Sequence, residues 1–141
     1  MRIASLALIT LLLAPTARAG GSGAEVLEHH GRWESGYGST FYNVVGRLKN
    51  TSDHPLAWVK LRIEAVNDKG KVVASTETYN ESAEVLAVEV EGMTASREER
   101  ARKVKPLAPG GEERFRGSFL KEETPPFTDT RVKVIDAPPA R

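Results

Sequence analysis

The chain has 141 residues, 40% hydrophobic and 28% charged, with no cysteine and a formal charge of +1. Those proportions exclude a polytopic membrane protein and a disordered tail. The missing cysteine removes disulfides, Cys₄-type zinc sites, thiol nucleophiles and a lipidated cysteine after a leader.

Residues 1–19 read as a secretory signal peptide. Arg2 precedes an apolar run from Ile3 to Ala14, and the small residues Ala17 and Ala19 place the cut before Gly20. The run is too short for a bilayer core of about 30 Å. Its removal takes away Arg2 and Arg18 and no acid, leaving 18 basic and 19 acidic residues, a net charge near −1. A global basic field for nucleic acid is therefore absent. No second long apolar run follows, so a transmembrane anchor is not expected in the mature chain. The expected organisation is a flexible leader at 20–24, one β domain at 25–137 and a tail at 138–141.

Gly20 to Gly23 carries too little side chain to pack. Ala24 to Glu34 is a first strand, Gly36, Gly38 and Ser39 mark a loop, and Trp33 and Tyr37 are expected together in that Gly-rich loop. From Phe41 to Asn50, Tyr42, Val44, Gly46 and Leu48 share one face while Asn43, Arg47 and Lys49 share the other. Gly46, on the inward face, leaves room for a bulky neighbour from the facing sheet or marks a bulge. Asn50 to Pro55 is a turn cluster in which the Asn50 side chain can staple the strand end.

Ala57, Val59, Leu61, Ile63 and Ala65 alternate with Trp58, Lys60, Arg62 and Glu64, the clearest strand pattern in the chain. Asn67 to Gly70 is a turn, and Lys71 to Tyr79 returns as the hairpin partner. Val85 to Val90 reads as a strand with Leu86, Val88 and Val90 on one face. Ser96 and Glu99 have capping-box spacing, and Glu98–Arg102 and Glu99–Lys103 are spaced i,i+4. A short surface helix is expected near 96–104, outside the β core. Glu113 to Leu120 alternates with Phe115 and Phe119 inward, Pro125-Pro126 interrupts, and Arg131 to Asp136 is a last strand with Val132 and Val134 inward. The expected class is all-β, a single antiparallel sandwich of about seven strands.

The order of these features resembles the FxLYD domain family of exported proteins. The residues that carry the resemblance are Gly46-Arg47-Leu48-Lys49-Asn50, the strand from Val59 to Gly70, Val72-Val73, and Pro109-Gly110-Gly111-Glu112-Glu113-Arg114-Phe115, covering about 41–120. The namesake Phe-x-Leu-Tyr-Asp is replaced by Ile63-Glu64-Ala65-Val66-Asn67, and the segment 81–105 is longer than the family usually has. The resemblance implies an immunoglobulin-like β-sandwich without a catalytic site or ligand.

For chemistry, the histidines are His29, His30 and His54, and no Gly-x-Ser-x-Gly elbow presents a serine. Ser52, Asp53 and His54 are sequence neighbours, which rarely gives triad geometry. Glu112-Glu113 and Glu122-Glu123 lack an apolar pocket to raise a pKa. Glu28-His29-His30 offers a metal only two ligands on one strand face, short of the three or four zinc needs. No metal and no cofactor is expected, and an enzyme, a small hydrolase above all, is the reading disfavoured. Two candidate contact surfaces remain. Trp33, Tyr37 and Trp58 could stack on a sugar or a protein. Arg97, Arg100, Arg102, Lys103 and Lys105 could meet an anionic surface, although a charge run is commonly just solvated. The expectation is a periplasmic or extracellular non-catalytic binding or adaptor module whose partner is another envelope or extracellular protein or polymer. The alternative is a carbohydrate- or wall-binding accessory.

Overall fold

The structure, a computed structural model, describes residues 23–87 and 96–141. The expected signal peptide and most of the leader lie outside the described residues, as do Val88 and Val90 of the expected strand.

Six strands follow in chain order: β1 (Ala24–Gly36), β2 (Ser39–Asn50), β3 (Lys60–Val66), β4 (Val72–Tyr79), β5 (Glu112–Leu120) and β6 (Asp129–Asp136). They form two antiparallel three-stranded sheets of order β1-β2-β5 and β4-β3-β6. The expected count of about seven is thus one too many among the described residues. Where Val85 and Leu86 were read as strand, the chain coils into a 3₁₀ turn, Glu81–Leu86. Ala83 and Leu86 are both buried there, and a period of three residues per turn stacks them on one face.

The alternation in β2 and β3 places the core as expected. Val44, Leu48, Leu61, Ile63 and Ala65 are all fully buried. Leu48 and Phe115 from the first sheet meet Val59, Leu61, Leu56 and Leu107 in one cluster. Val44 and Phe119 meet Ile63 and Ala65 in a second. Burying such side chains contributes about 1.5–3 kcal/mol each, which must substitute for disulfides. Val59 belongs to the core although the ladder itself begins at Lys60.

Gly46 serves a neighbour on its own sheet, not on the facing one. A Cβ there would overlap the Phe115 ring, which lies directly across from Gly46 on β5, and also the Glu28 carbonyl. The loop expected at 36–39 is tighter than read. Gly36 pairs with Ser39, so Tyr37 and Gly38 alone make the turn, with φ of 52° and 78°. Positive φ at both central residues defines a type I′ turn, whose twist matches the strands it joins. Trp33 therefore lies on β1, opposite Tyr42, and not in a loop.

The short helix α1 (Arg97–Arg102) has the expected capping box, Glu99 N–H to Ser96 Oγ and Ser96 N–H to the Glu99 carboxylate, each 3.2 Å. That return of the carboxylate takes Glu99 away from Lys103, and no ion pair joins either expected i,i+4 couple among the described residues. Nor does the segment stand clear of the core. Val104 is buried with Tyr79, Ala83 and Leu86 in a third cluster, and Trp58 and Ala101 pack against it. The expected tail is also engaged: Pro139 bridges Leu56, and Ala57 N–H donates to the Pro138 carbonyl at 2.8 Å.

Candidate functional site

The β1–β2 hairpin projects past β5, because β2 pairs with β5 only from Phe41 onward. At its tip Tyr37 is wholly exposed. A tyrosine held at positive φ costs roughly 1–2 kcal/mol compared with a residue in an ordinary backbone region. Below the tip Trp33 is 47% exposed, its ring 5.1 Å from Tyr42 at 64° and 5.7 Å from Phe127. Phe127 in turn stands 5.0 Å from Tyr42 and 6.1 Å from Phe119. One side of Trp33 thus closes an end of the core while the other faces solvent near the Lys121 ammonium, 6.0 Å from its ring. Sequence reading missed Phe127, since it follows Pro125-Pro126 with no periodic signal around it.

Trp58 is elsewhere. It packs on the third cluster and carries the Arg97 guanidinium 5.6 Å from its ring. Arg97 also donates to the Tyr79 hydroxyl at 3.0 Å. The structure therefore brings Trp33 and Tyr37 onto one hairpin but does not bring Trp58 to them. Of the basic run, Arg97 is used in this packing and Arg100 is half-buried, whereas Arg102, Lys103 and Lys105 are exposed.

His29 and His30 part company across the sheet, as strand alternation requires. His30 shares the outer face with Glu28, whose carboxylate takes Arg47 at 2.9 Å. That hydrogen bond, with the Arg47 charge, holds Glu28 below the ordinary carboxylate range. His29 points between the sheets, its Nε2 3.1 Å from the Thr130 carbonyl. No three metal-ligating groups converge among the described residues.

The outer face of the first sheet holds a shallow open groove of about 550 Å³, with Arg47, Arg114 and Arg116 at its floor. Glu112 lies 3.3 Å from Arg47, and Glu84 lies 3.2 Å from Arg116. These are exposed pairs, each contributing about 0–1 kcal/mol. Glu28, hydrogen-bonded to Arg47 and with its pKa lowered by that bond, is a poor general acid.

The other histidine turn is structural in its contacts. His54 Nδ1 lies 3.0 Å from Asp53 Oδ1, and that bond lowers the Asp53 pKa. The Ser52 hydroxyl turns instead to Asn50 Oδ1 at 2.6 Å. Asn50 is fully buried and also receives Ser52 N–H, while its Nδ2 donates to the His54 and Leu107 carbonyls, all at 2.9 Å. Asn80 plays the same part at the end of β4. It is equally buried, its Oδ1 accepting Val59 N–H at 2.8 Å and its Nδ2 donating to Glu113 at 3.1 Å. Their shared signal is an asparagine closing a strand with serine two residues on.

Among the described residues no helix is long and apolar enough to cross a membrane. Comparison with protein families, with curated proteins and with solved structures finds no match.

Proposed function

We propose that the chain is an exported, non-catalytic β-sandwich module that binds another protein or polymer of the cell envelope or the external medium. The strand order β1-β2-β5 over β4-β3-β6 supports an immunoglobulin-like reading and the FxLYD resemblance, with β6 in the place of the penultimate strand. Export rests on the sequence of residues 1–19; amino-terminal sequencing should find Gly20 first, and mature material beginning at Met1 would overturn it.

The observation that carries the binding reading is Tyr37, a bare aromatic on a projecting hairpin at a backbone conformation that favours glycine or asparagine. Such a residue does nothing for the fold that glycine would not do better. Protein contact is better supported than a glycan platform, because stacking on sugars asks for coplanar exposed rings. Of the candidate rings Tyr37 alone is fully bare: Trp33 packs on Tyr42 and Phe127, and Trp58 lies in another cluster. Tyr37→Gly should melt no lower than the parent yet fail to retain the partner that the parent captures from envelope extract. Equal capture by both would overturn the assignment.

A further inference from the structure

The two sheets meet along two seams, and the seams are built differently. Between β4 and β5, Thr78 Oγ1 donates to the Arg116 carbonyl at 2.6 Å, and Asn80 bridges Phe115. Glu113 there takes Asn80 Nδ2 and, at 2.6 Å, Ser82 N–H. Between β1 and β6 the tie is His29 to the Thr130 carbonyl.

Hydrogen-bond parity shows what the second seam leaves open. Asn80 N–H donates to the Val59 carbonyl, so Val59 and the odd-numbered residues of β3 that continue its register turn their main chain toward β4. Their partners on β6, Thr130, Val132 and Val134, then sit at non-hydrogen-bonded positions and aim N–H and C=O away from β3. Thr130 fits this parity: its N–H goes to Asp129 Oδ1 at 2.8 Å and its C=O to His29. Val132 and Val134 have no such side-chain cap among the described residues. Their side chains, with Val26 on β1, pack against the core but are only partly buried. On the outward face stand Arg131, exposed, and Lys133, 2.9 Å from Glu64.

We propose that the open edge of β6 accepts an extended strand of a partner protein in which aliphatic and acidic side chains alternate. Backbone pairing with Val132 and Val134 supplies the register. The aliphatic side chains cover Val26, Val132 and Val134, and the acidic ones lie beside Arg131 and Lys133. A second copy of β6 is the wrong occupant, because it would set Arg131 and Lys133 against their own kind, a common guard against self-pairing. The proposal deepens the binding-module reading and rests on it, using a surface remote in sequence from Tyr37.

The test uses the full chain and two capped ten-residue peptides, one alternating Val with Glu, the other Val with Lys. The Val/Glu peptide should slow amide exchange at Val132 and Val134 at least tenfold, and the effect should weaken with salt. The Val/Lys peptide should bind at least tenfold more weakly, and Arg131→Glu with Lys133→Gln should narrow or reverse that preference. Equal binding of both peptides, or no protection at Val132 and Val134, overturns the proposal. So does self-association of the chain through this edge. Tyr37→Gly should bind the Val/Glu peptide like the parent. Loss of envelope capture with peptide binding kept would therefore leave the edge standing alone, and the converse would remove only the edge.

Discussion

Asn80 stands to Val59 as Asn50 stands to Leu107: each buried carboxamide bonds the main chain of a segment that leads up to a strand and lies outside its ladder. Both positions carry the Asn-x-Ser pattern of a glycosylation acceptor, and both side chains are wholly buried, so neither is accessible once the chain has folded.

Replacing Asn50 disturbs three partners at once. Asn50→Ala leaves Ser52 N–H without its acceptor and takes one of two donors from each of the His54 and Leu107 carbonyls, which keep Ser52 Oγ and Leu56 N–H. With one group left unsatisfied, a loss of about 1–3 kcal/mol is expected in urea unfolding. Asn50→Asp keeps the acceptor and loses both donated bonds, so it should also destabilise. Wild-type stability in either variant would show that the turn is held by its main chain.

The register of β3 is testable by contrast across its two faces. Leu61→Ala should cost about 2–5 kcal/mol through lost burial and a cavity. Lys60→Ala removes a contact with Glu77 at 2.9 Å on the outer face and should cost less than about 1 kcal/mol. Comparable losses would mean that the faces are exchanged.

The third cluster makes a separate claim about α1. Arg102→Gln with Lys103→Gln should leave the melting temperature nearly unchanged, both side chains being exposed. Val104→Ala, beside Tyr79 and Leu86, should cost about 1–3 kcal/mol. A neutral Val104→Ala would put the helix outside the core, as its sequence had suggested.

Glu77 supplies a pH signature. Hydrogen bonds from Lys60 and then Arg62 lower its pKa below the ordinary 4.5, and the same bond raises that of Lys60. A carboxylate lowered in the folded state stabilises the fold above its unfolded pKa, and that contribution is lost as pH falls through the folded value. Carboxyl NMR should therefore find Glu77 titrating below the ordinary 4.5, and Lys60→Ala should move it upward. An unchanged midpoint would dissolve the pair.

Strands β2 and β5 could be read to within about two residues of their ends, and β3 to within three, because each buries one face and burial imposes period two on the sequence. The Ser96–Glu99 box was legible for a similar reason, since both partners lie within one turn. What escaped was set by distant contacts. Nothing near Phe127 signals that it will meet Trp33 and Tyr42, and nothing near Asn80 announces Glu113. At Ala83 and Leu86, a spacing of three lay beside an alternating Leu86-Val88-Val90 pattern and was overridden by it. At the aromatic hairpin, Gly36 and Gly38 drew the loop too wide and placed Trp33 in it.

The place of β5 also bears on how fast the chain can fold. β1 with β2, and β3 with β4, are local hairpins that can close within microseconds. β5 must travel back across both β3 and β4 to pair Phe41 with Leu120 and Lys49 with Glu112. That closure pays its loop entropy before the ladder rewards it, which puts assembly on the millisecond-to-second scale of non-local β proteins. Until β5 arrives, one edge of β2 stands unpaired, and Arg47 and Lys49 are then the charges that keep it from templating a neighbouring chain.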